Sequence, residues 1–387
     1  MHMRKATAAL VGLLLAGVAA TPAHAETIRS QQWHLDAMKA DEIWKISKGK
    51  GVTVAVIDSG VNQIPELAGQ VVPGKDFEPD SVEGDERTDI SSHGTTMAAV
   101  IAGSGQHPSG DGSFGLAPGV KILPIRVPHE TNRATPSWVA AIRYAADSDA
   151  KIINVSLAMD GTADDDGPRR EAVEYALSKG KLVFAGTGNY GNRELSYPAA
   201  TPGVVGVGAV GPNGEPTKES QYGPQVDMAA PGIDIVTACA GKTGLCKSSG
   251  TSDATALASA SAALLWSAHP EWTNNQVLRV LLNTAGKPVD GSQRNDYVGY
   301  GVVRPRIALQ TPGDPGPADV YPLPDLAAAA SGGKPSASAP TDAAPSSPAP
   351  QAEQKKEGNS LLWVGLGLGA CVLIGGAVTA VVVRRNR

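Results

Sequence analysis

Cysteine is nearly absent from this chain: three in 387 residues cannot scaffold a fold through disulfides. An excess of positive charge is missing too. Lys and Arg number 33 against 38 Asp and Glu, a formal net charge of −5, which gives no footing on a phosphate backbone and argues against a nucleic-acid partner. Charged residues are sparse at 18%, while 42% are hydrophobic, a balance that fits a globular body long enough for one large domain plus extensions. One stretch is crowded with carboxylates (Asp76, Glu78, Asp80, Glu83, Asp85, Glu86 and Asp89), and a shorter one covers 164–166. Both are expected to be solvated loops; no metal and no cofactor is expected.

The two ends carry the long apolar runs. Arg4 and Lys5 precede an apolar stretch over 8–20, and Ala23-His24-Ala25 has the form of a signal-peptidase site, so residues 1–25 read as a secretory signal. Residues 361–383 are apolar and uncharged, and at about 1.5 Å per residue they can cross a hydrocarbon core of about 30 Å. Arg384, Arg385 and Arg387 follow, which makes 384–387 a cytoplasmic basic tail. The body is then expected outside, on a single-pass protein of the cell membrane. Residues 311–358 are rich in Pro, Ala, Ser and Gly and are expected to form a disordered linker, leaving 31–310 as the folded domain.

Within that body, runs at 51–58, 121–127, 151–156, 181–185 and 204–210 are apolar throughout, the pattern of strands buried on both faces. Helical patterns cover His93–Ala102, 136–146 and 169–178, and another starts at the capping box Thr273-x-x-Gln276 and ends near Gly286. Strand–helix alternation predicts an α/β domain with a mostly parallel sheet, whose ligands lie beyond the carboxyl ends of the strands. Asp58 closes the first strand.

Three segments carry chemistry: Val54-Ala-Val-Ile-Asp58-Ser-Gly60, Ser92-His93-Gly94-Thr95 and Gly250-Thr251-Ser252. They supply a carboxylate, an imidazole and a hydroxyl. A Ser hydroxyl is a weak nucleophile near neutral pH, so a positioned His must take its proton, and a buried Asp must hold the imidazole in the right tautomer. Singly, each residue is more often a cap or a turn former. Together, in this chain order and with their flanking glycines, they resemble the subtilisin-like serine proteases, from about residue 33 to about residue 309.

The resemblance implies a subtilisin-like three-layer α/β fold with a mostly parallel central sheet. It also implies serine endopeptidase activity on protein or peptide substrates, through an acyl-enzyme. Ser252 becomes the nucleophile, His93 the general base and then acid, and Asp58 the group that orients His93. The segment Val183-Phe-Ala-Gly-Thr-Gly-Asn189-Tyr-Gly191 resembles the family's Ala-Ala-Gly-Asn, so Asn189 and the Ser252 N–H form the oxyanion hole. Ser156, Leu157 and Ala158, with Ala185, Gly186, Thr187 and Gly188, line the pocket for the side chain before the cut bond. Residues 156–159 offer an edge for strand addition. None of these pocket residues carries a charge that would name a preferred substrate.

Departures from the family pattern are local. Asp253 follows the nucleophile where an apolar residue is usual, Ala256 replaces a common Pro, and Ala158 replaces a Gly. Asp253 either raises the His93 pKa or favours the helix N-terminus, the second being the blander reading. Cys239 and Cys246 are expected to pair in an oxidising compartment and to stiffen the loop before Ser252, while Cys371 falls within the apolar span. Gln32-Trp33-His34-Leu35 resembles the start of a mature body so soon after residue 25 that no folded pro-domain is expected. Signal, body, tether and anchor together resemble the mycosins, membrane-anchored subtilases of type VII secretion. Their substrates would be secreted or membrane-proximal proteins, and secretion-system membrane components would be partners. The same resemblance carries a rival: a structural part in that machinery, with proteolysis dispensable.

Overall fold

The unbroken apolar runs are explained by a sheet covered on both faces. The computed structural model describes residues 26–128, 134–160, 167–241 and 244–330. In β1 (Thr53–Asp58), Val54 and Val56 enter one hydrophobic core while Ala55 and Ile57 enter another. That is the two-residue period of a strand between two layers, where both faces must be apolar.

Ten further strands follow among the described residues: β2 (Lys75–Asp76), β3 (Lys121–Arg126), β4 (Ile152–Val155), β5 (Met159–Asp160), β6 (Leu182–Gly186), β7 (Ser196–Tyr197), β8 (Val205–Val210), β9 (Met228–Pro231), β10 (Ile235–Ala238) and β11 (Leu245–Ser248). Seven of the eleven make one sheet in the order β2-β3-β1-β4-β6-β8-β9, with every neighbouring pair parallel. β10 and β11 form an antiparallel ribbon, and β5 pairs antiparallel with β7.

Helices α1 (Ile28–Gln31), α2 (Trp33–Ala37) and α3 (Ala40–Ile43) precede the sheet. α4 (His93–Ala102) and α7 (Thr251–Ala268) pack in the first core, whereas α5 (Ala134–Asp147) and α6 (Gly167–Ser178) pack in the second. The result is the expected three-layer α/β arrangement. α7 is unusual in composition: Ala254, Ala256, Ala258, Ala260 and Ala262 are all fully buried. Their small volume lets the helix touch α4, β4, β6, β8 and β9 together. α8 (Asn274–Thr284) opens with the predicted capping box of Thr273 and Gln276. α9 (Pro305–Gln310) follows.

The linker expected from 311 does not begin there. Arg279 donates to the carbonyls of Pro315 (2.7 Å), Pro317 (2.9 Å) and Val320, so a half-buried cation of α8 holds the chain against it. Tyr321 Oη donates to the Gly203 carbonyl at 2.9 Å, Gly203 N donates to Asp325 Oδ2 at 2.6 Å, and Leu323 is buried. A last helix, α10 (Asp325–Ala330), ends the described segment. Prolines have little backbone freedom to lose, which reduces the ordering cost of such a strap. Residues 331–358, the signal at 1–25, the apolar span at 361–383 and the tail at 384–387 lie outside the described residues. Among the described residues no helix is long and apolar enough to cross a membrane.

Candidate active site

Asp58 closes β1 at its carboxyl end and is fully buried. Its Oδ1 accepts from Ser59 N (2.8 Å) and stands 2.7 Å from Nδ1 of His93, the first residue of α4. Gly94 is required there by close approach. A Cβ at that position would lie 2.2 Å from the Gly60 carbonyl oxygen and 3.0 Å from Asp58 Cβ, so a larger residue would push the imidazole away from the carboxylate.

The turn that delivers His93 is held by Asp89. Its Oδ1 accepts from Ser92 N (2.8 Å) and lies within reach of the Ser59 (2.9 Å) and Ser91 (3.1 Å) hydroxyls. Oδ2 accepts from Thr95 N (2.8 Å) and Thr95 Oγ1 (2.6 Å). Ser92 takes the left-handed conformation at φ 66° and gives α4 no side-chain cap, so Asp89 supplies that function from outside the helix. The acidic stretch is therefore not uniformly a solvated loop. Asp80, Glu83 and Asp85 are exposed, but Asp89 is buried and Asp76 pairs with Arg126 Nη1 at 3.0 Å.

Ser252 is the second residue of α7. A buried chain ties it to the sheet: Ser259 Oγ donates to Asn154 Oδ1 (3.0 Å), Asn154 Nδ2 to Ser156 Oγ (2.9 Å), and Ser156 Oγ to the Ser252 carbonyl (3.1 Å). The Ser252 hydroxyl itself donates to the Ser156 carbonyl at 2.7 Å. Thr251 N and Oγ1 donate to Asn189 Oδ1 (2.9 and 3.1 Å), which turns the amide Nδ2 to the outer end of that side chain. Gly250, at φ 151°, leaves room for it, since a Cβ would come within 3.2 Å of Asn189 Nδ2.

Ser252, His93 and Asn189 line one cavity of about 290 Å³. Of the expected wall residues, Ser156, Leu157, Ala158, Gly186 and Gly188 line it as well. Ala185 instead packs in the second core, and Thr187 is buried with its hydroxyl donating to the Gln221 carbonyl at 3.2 Å. The structure adds Trp138 from α5, Met159 from β5, Tyr190 beside Asn189, Ser196 from β7 and Gln221 from a loop. Met159, at the edge expected for strand addition, already pairs with Tyr197 on one side.

Electrostatics centre on His93. Burial favours its neutral form, but the Asp58 charge and hydrogen bond outweigh that, and Asp253 and Asp89 add to them, raising its pKa to about 9. Burial pushes Asp253 up to about 6, against the Ser248 hydroxyl, which donates to its Oδ1 at 2.5 Å, and the charge of His93. Asp253 lies in the first turn of α7, where the positive end of the helix and its own backbone N–H favour its charge, and it also acts on the imidazole, so the two readings of Asp253 hold together. Cys239 and Cys246 are bonded across the β10–β11 ribbon. Ala240 N donates to Ser92 Oγ at 2.8 Å, so the ribbon is tied to the turn before His93.

A parallel three-layer sheet presenting an acid at the end of its first strand, an imidazole on the next long helix and a serine at the head of a buried one defines a class of hydrolase. The chain belongs to the subtilase family of serine peptidases, the peptidase S8 group, whose profile matches residues 49–301. It is 36% identical over 265 residues to a thermophilic serine proteinase of Bacillus sp. (strain AK1), covering 67% of this chain and 62% of that protein. It is 31% identical over 332 residues to mycosin-1 of Mycolicibacterium smegmatis, covering 72% of each. Among solved structures it resembles MycP1 from the ESX-1 type VII secretion system, with a TM-score of 0.65 and 31% identity, covering 74% of this chain and 88% of that one. The protein is thus a subtilisin-like serine endopeptidase related to the mycosins.

Proposed function

We propose that this protein is anchored in the cell membrane by residues 361–383 and cleaves secreted or membrane-proximal proteins of a type VII secretion system at the outer face. The catalytic reading rests on the 2.7 Å approach of Asp58 Oδ1 to His93 Nδ1, with Ser252 lining the same cavity as the imidazole. A hydroxyl has one proton, and that of Ser252 is now given to the Ser156 carbonyl. Rotation about χ1 redirects it to His93 when a substrate carbonyl arrives, in keeping with the looser catalytic contacts of unliganded sites.

His93 then takes the proton as Ser252 Oγ bonds to the carbonyl carbon, and Asp58 stabilises the imidazolium. The tetrahedral oxyanion accepts from Asn189 Nδ2 and the Ser252 N–H, a contribution of about 10²–10³ in turnover for one such donor. Collapse expels the amine, which leaves with the proton from His93. Water, deprotonated by the same imidazole, releases the acyl group. The secretory setting is supported by the similarity to mycosin-1 and to MycP1.

Labelling of the full-length protein with a fluorophosphonate tests the reading. Wild type should label and Ser252→Ala should not, with peptidase turnover falling about 10⁶-fold and the fold retained. A wild type that does not label favours the structural role in the secretion machinery instead.

A further inference from the structure

Two cavities meet at Ser252 and His93, and they differ in charge. The one built on Ser156, Ala158, Gly186 and Gly188 has no Asp, Glu, Lys or Arg among its described lining residues. In the proposed mechanism it receives the side chain on the acyl side of the cut. The second, about 400 Å³, lies between the His93 turn and the disulfide ribbon and is lined by Ser92, Met97, Cys246, Ser248 and Asp253 along with the catalytic pair. His93 hands its proton to the departing amine, so the residue after the cut bond leaves across this side.

Among the described residues Asp253 is the only carboxylate that lines the second cavity, and no Lys or Arg lines it. Among the described residues no Lys or Arg forms an ion pair with Asp253 at all. The Ser248 hydroxyl, a neutral donor, is its side-chain partner. A buried carboxylate is costly to hold charged, and the positive end of α7 and the charge of His93 offset only part of that cost. With its pKa near 6, the group is ionised at pH 8. A cationic side chain entering the cavity would add a direct ion-pair partner, while an acidic one would place two negative charges in the same desolvated space.

We infer that Asp253 makes this peptidase select lysine or arginine immediately after the scissile bond. The inference rests on the peptidase reading above and adds a preference on the leaving-group side.

Quenched fluorescent peptides identical except for Lys, Leu or Glu after the cut bond test it at pH 8 with the full-length protein. Wild type should favour Lys over Leu by about tenfold in kcat/KM, and Leu over Glu by a similar factor. Asp253→Asn should bring the Lys-to-Leu ratio to within about threefold, and Asp253→Met should invert it, chiefly through KM. Equal rates for Lys and Leu in wild type, or a Lys-to-Leu ratio unchanged in Asp253→Asn, overturns the inference. If the variants do not fold, the wild-type series alone decides. A wild type that labels with fluorophosphonate yet shows no preference refutes this selectivity and leaves the peptidase standing; one that neither labels nor cleaves refutes both.

Discussion

Replacing Asp89 by alanine strips the turn before His93 of its acceptors. Two backbone donors, Ser92 N and Thr95 N, lose their partner in the first turn of α4, where Ser92 offers no cap of its own. Each such loss costs about 1 kcal/mol. Thr95 Oγ1 is buried and contributes about another 1 kcal/mol, while the Ser59 and Ser91 hydroxyls can turn to water and contribute less. The sum is about 3–4 kcal/mol, a large share of the roughly 5–15 kcal/mol that stabilises a native domain. At about 2 °C per kcal/mol for a body of this size, Tm should fall by about 6–8 °C, read by calorimetry or dye-monitored melting. Because His93 rides on that turn, turnover should fall by about 10²-fold, the cost of a misplacement of about 1 Å. Asp89→Asn, which keeps one carbonyl oxygen, should lose about half as much stability. A Tm within about 2 °C of wild type in Asp89→Ala would refute the claim that this carboxylate organises the site.

Three other outcomes follow from the same coordinates. His93 must be neutral to act as base, and with its pKa raised to about 9 by Asp58, Asp253 and Asp89, kcat/KM should climb with pH until about 9. Asp253→Asn removes one of those negative charges and should move that acid limb to lower pH; a wild-type limb at the ordinary 6.5 would contradict it. His34 is fully buried, neither ring nitrogen has a hydrogen-bond partner among the described residues, and burial first, then the Arg29 charge, lowers its pKa from 6.5 to about 3. Between those values the unfolded chain takes up a proton that the folded one refuses. The His34 contribution to stability should therefore be constant above pH 6.5 and fall by about 1.4 kcal/mol per pH unit below it, a slope in urea titrations that His34→Phe should lose. A chain stopped after residue 310 lacks the carbonyls held by Arg279 and the buried Leu323, and should melt several degrees below one stopped after residue 330; equal melting points would show that the strap contributes nothing.

Five strands of the main sheet, β1, β3, β4, β6 and β8, were legible because each is a run of mostly apolar sequence buried on both faces, with a polar residue such as Asn154 satisfied from within. β2, β5, β7, β9 and the β10–β11 ribbon span two to four residues each, too short to show a period of two, and they passed unread. Asp58, His93 and Ser252 were readable because each sits in a local segment whose glycine is sterically required, as Gly94 and Gly250 show. Asp89 was not, because its sequence neighbours are carboxylates exposed to water, whereas its partners are serine and threonine groups folded back over it. Composition also misjudged 311–330. A proline-rich stretch has few side chains to bury, but its carbonyls are free acceptors, and nothing local announces the arginine on α8 that takes them. Trp138, Ser196 and Gln221 reach the cavity only through tertiary structure.

The alanine-and-serine helix behind the nucleophile sets where such an enzyme can evolve. Hemmed in by α4 and four strands, α7 has no spare volume, and an added methylene or two there costs about 1–3 kcal/mol. Beyond Asp253 at its head, new substrate preferences must then arise at the margin of the cleft, where Tyr190 stands 73% exposed and can be exchanged without disturbing the interior. A directed-evolution library would do best to leave the buried alanines and serines of the helix alone and diversify that rim.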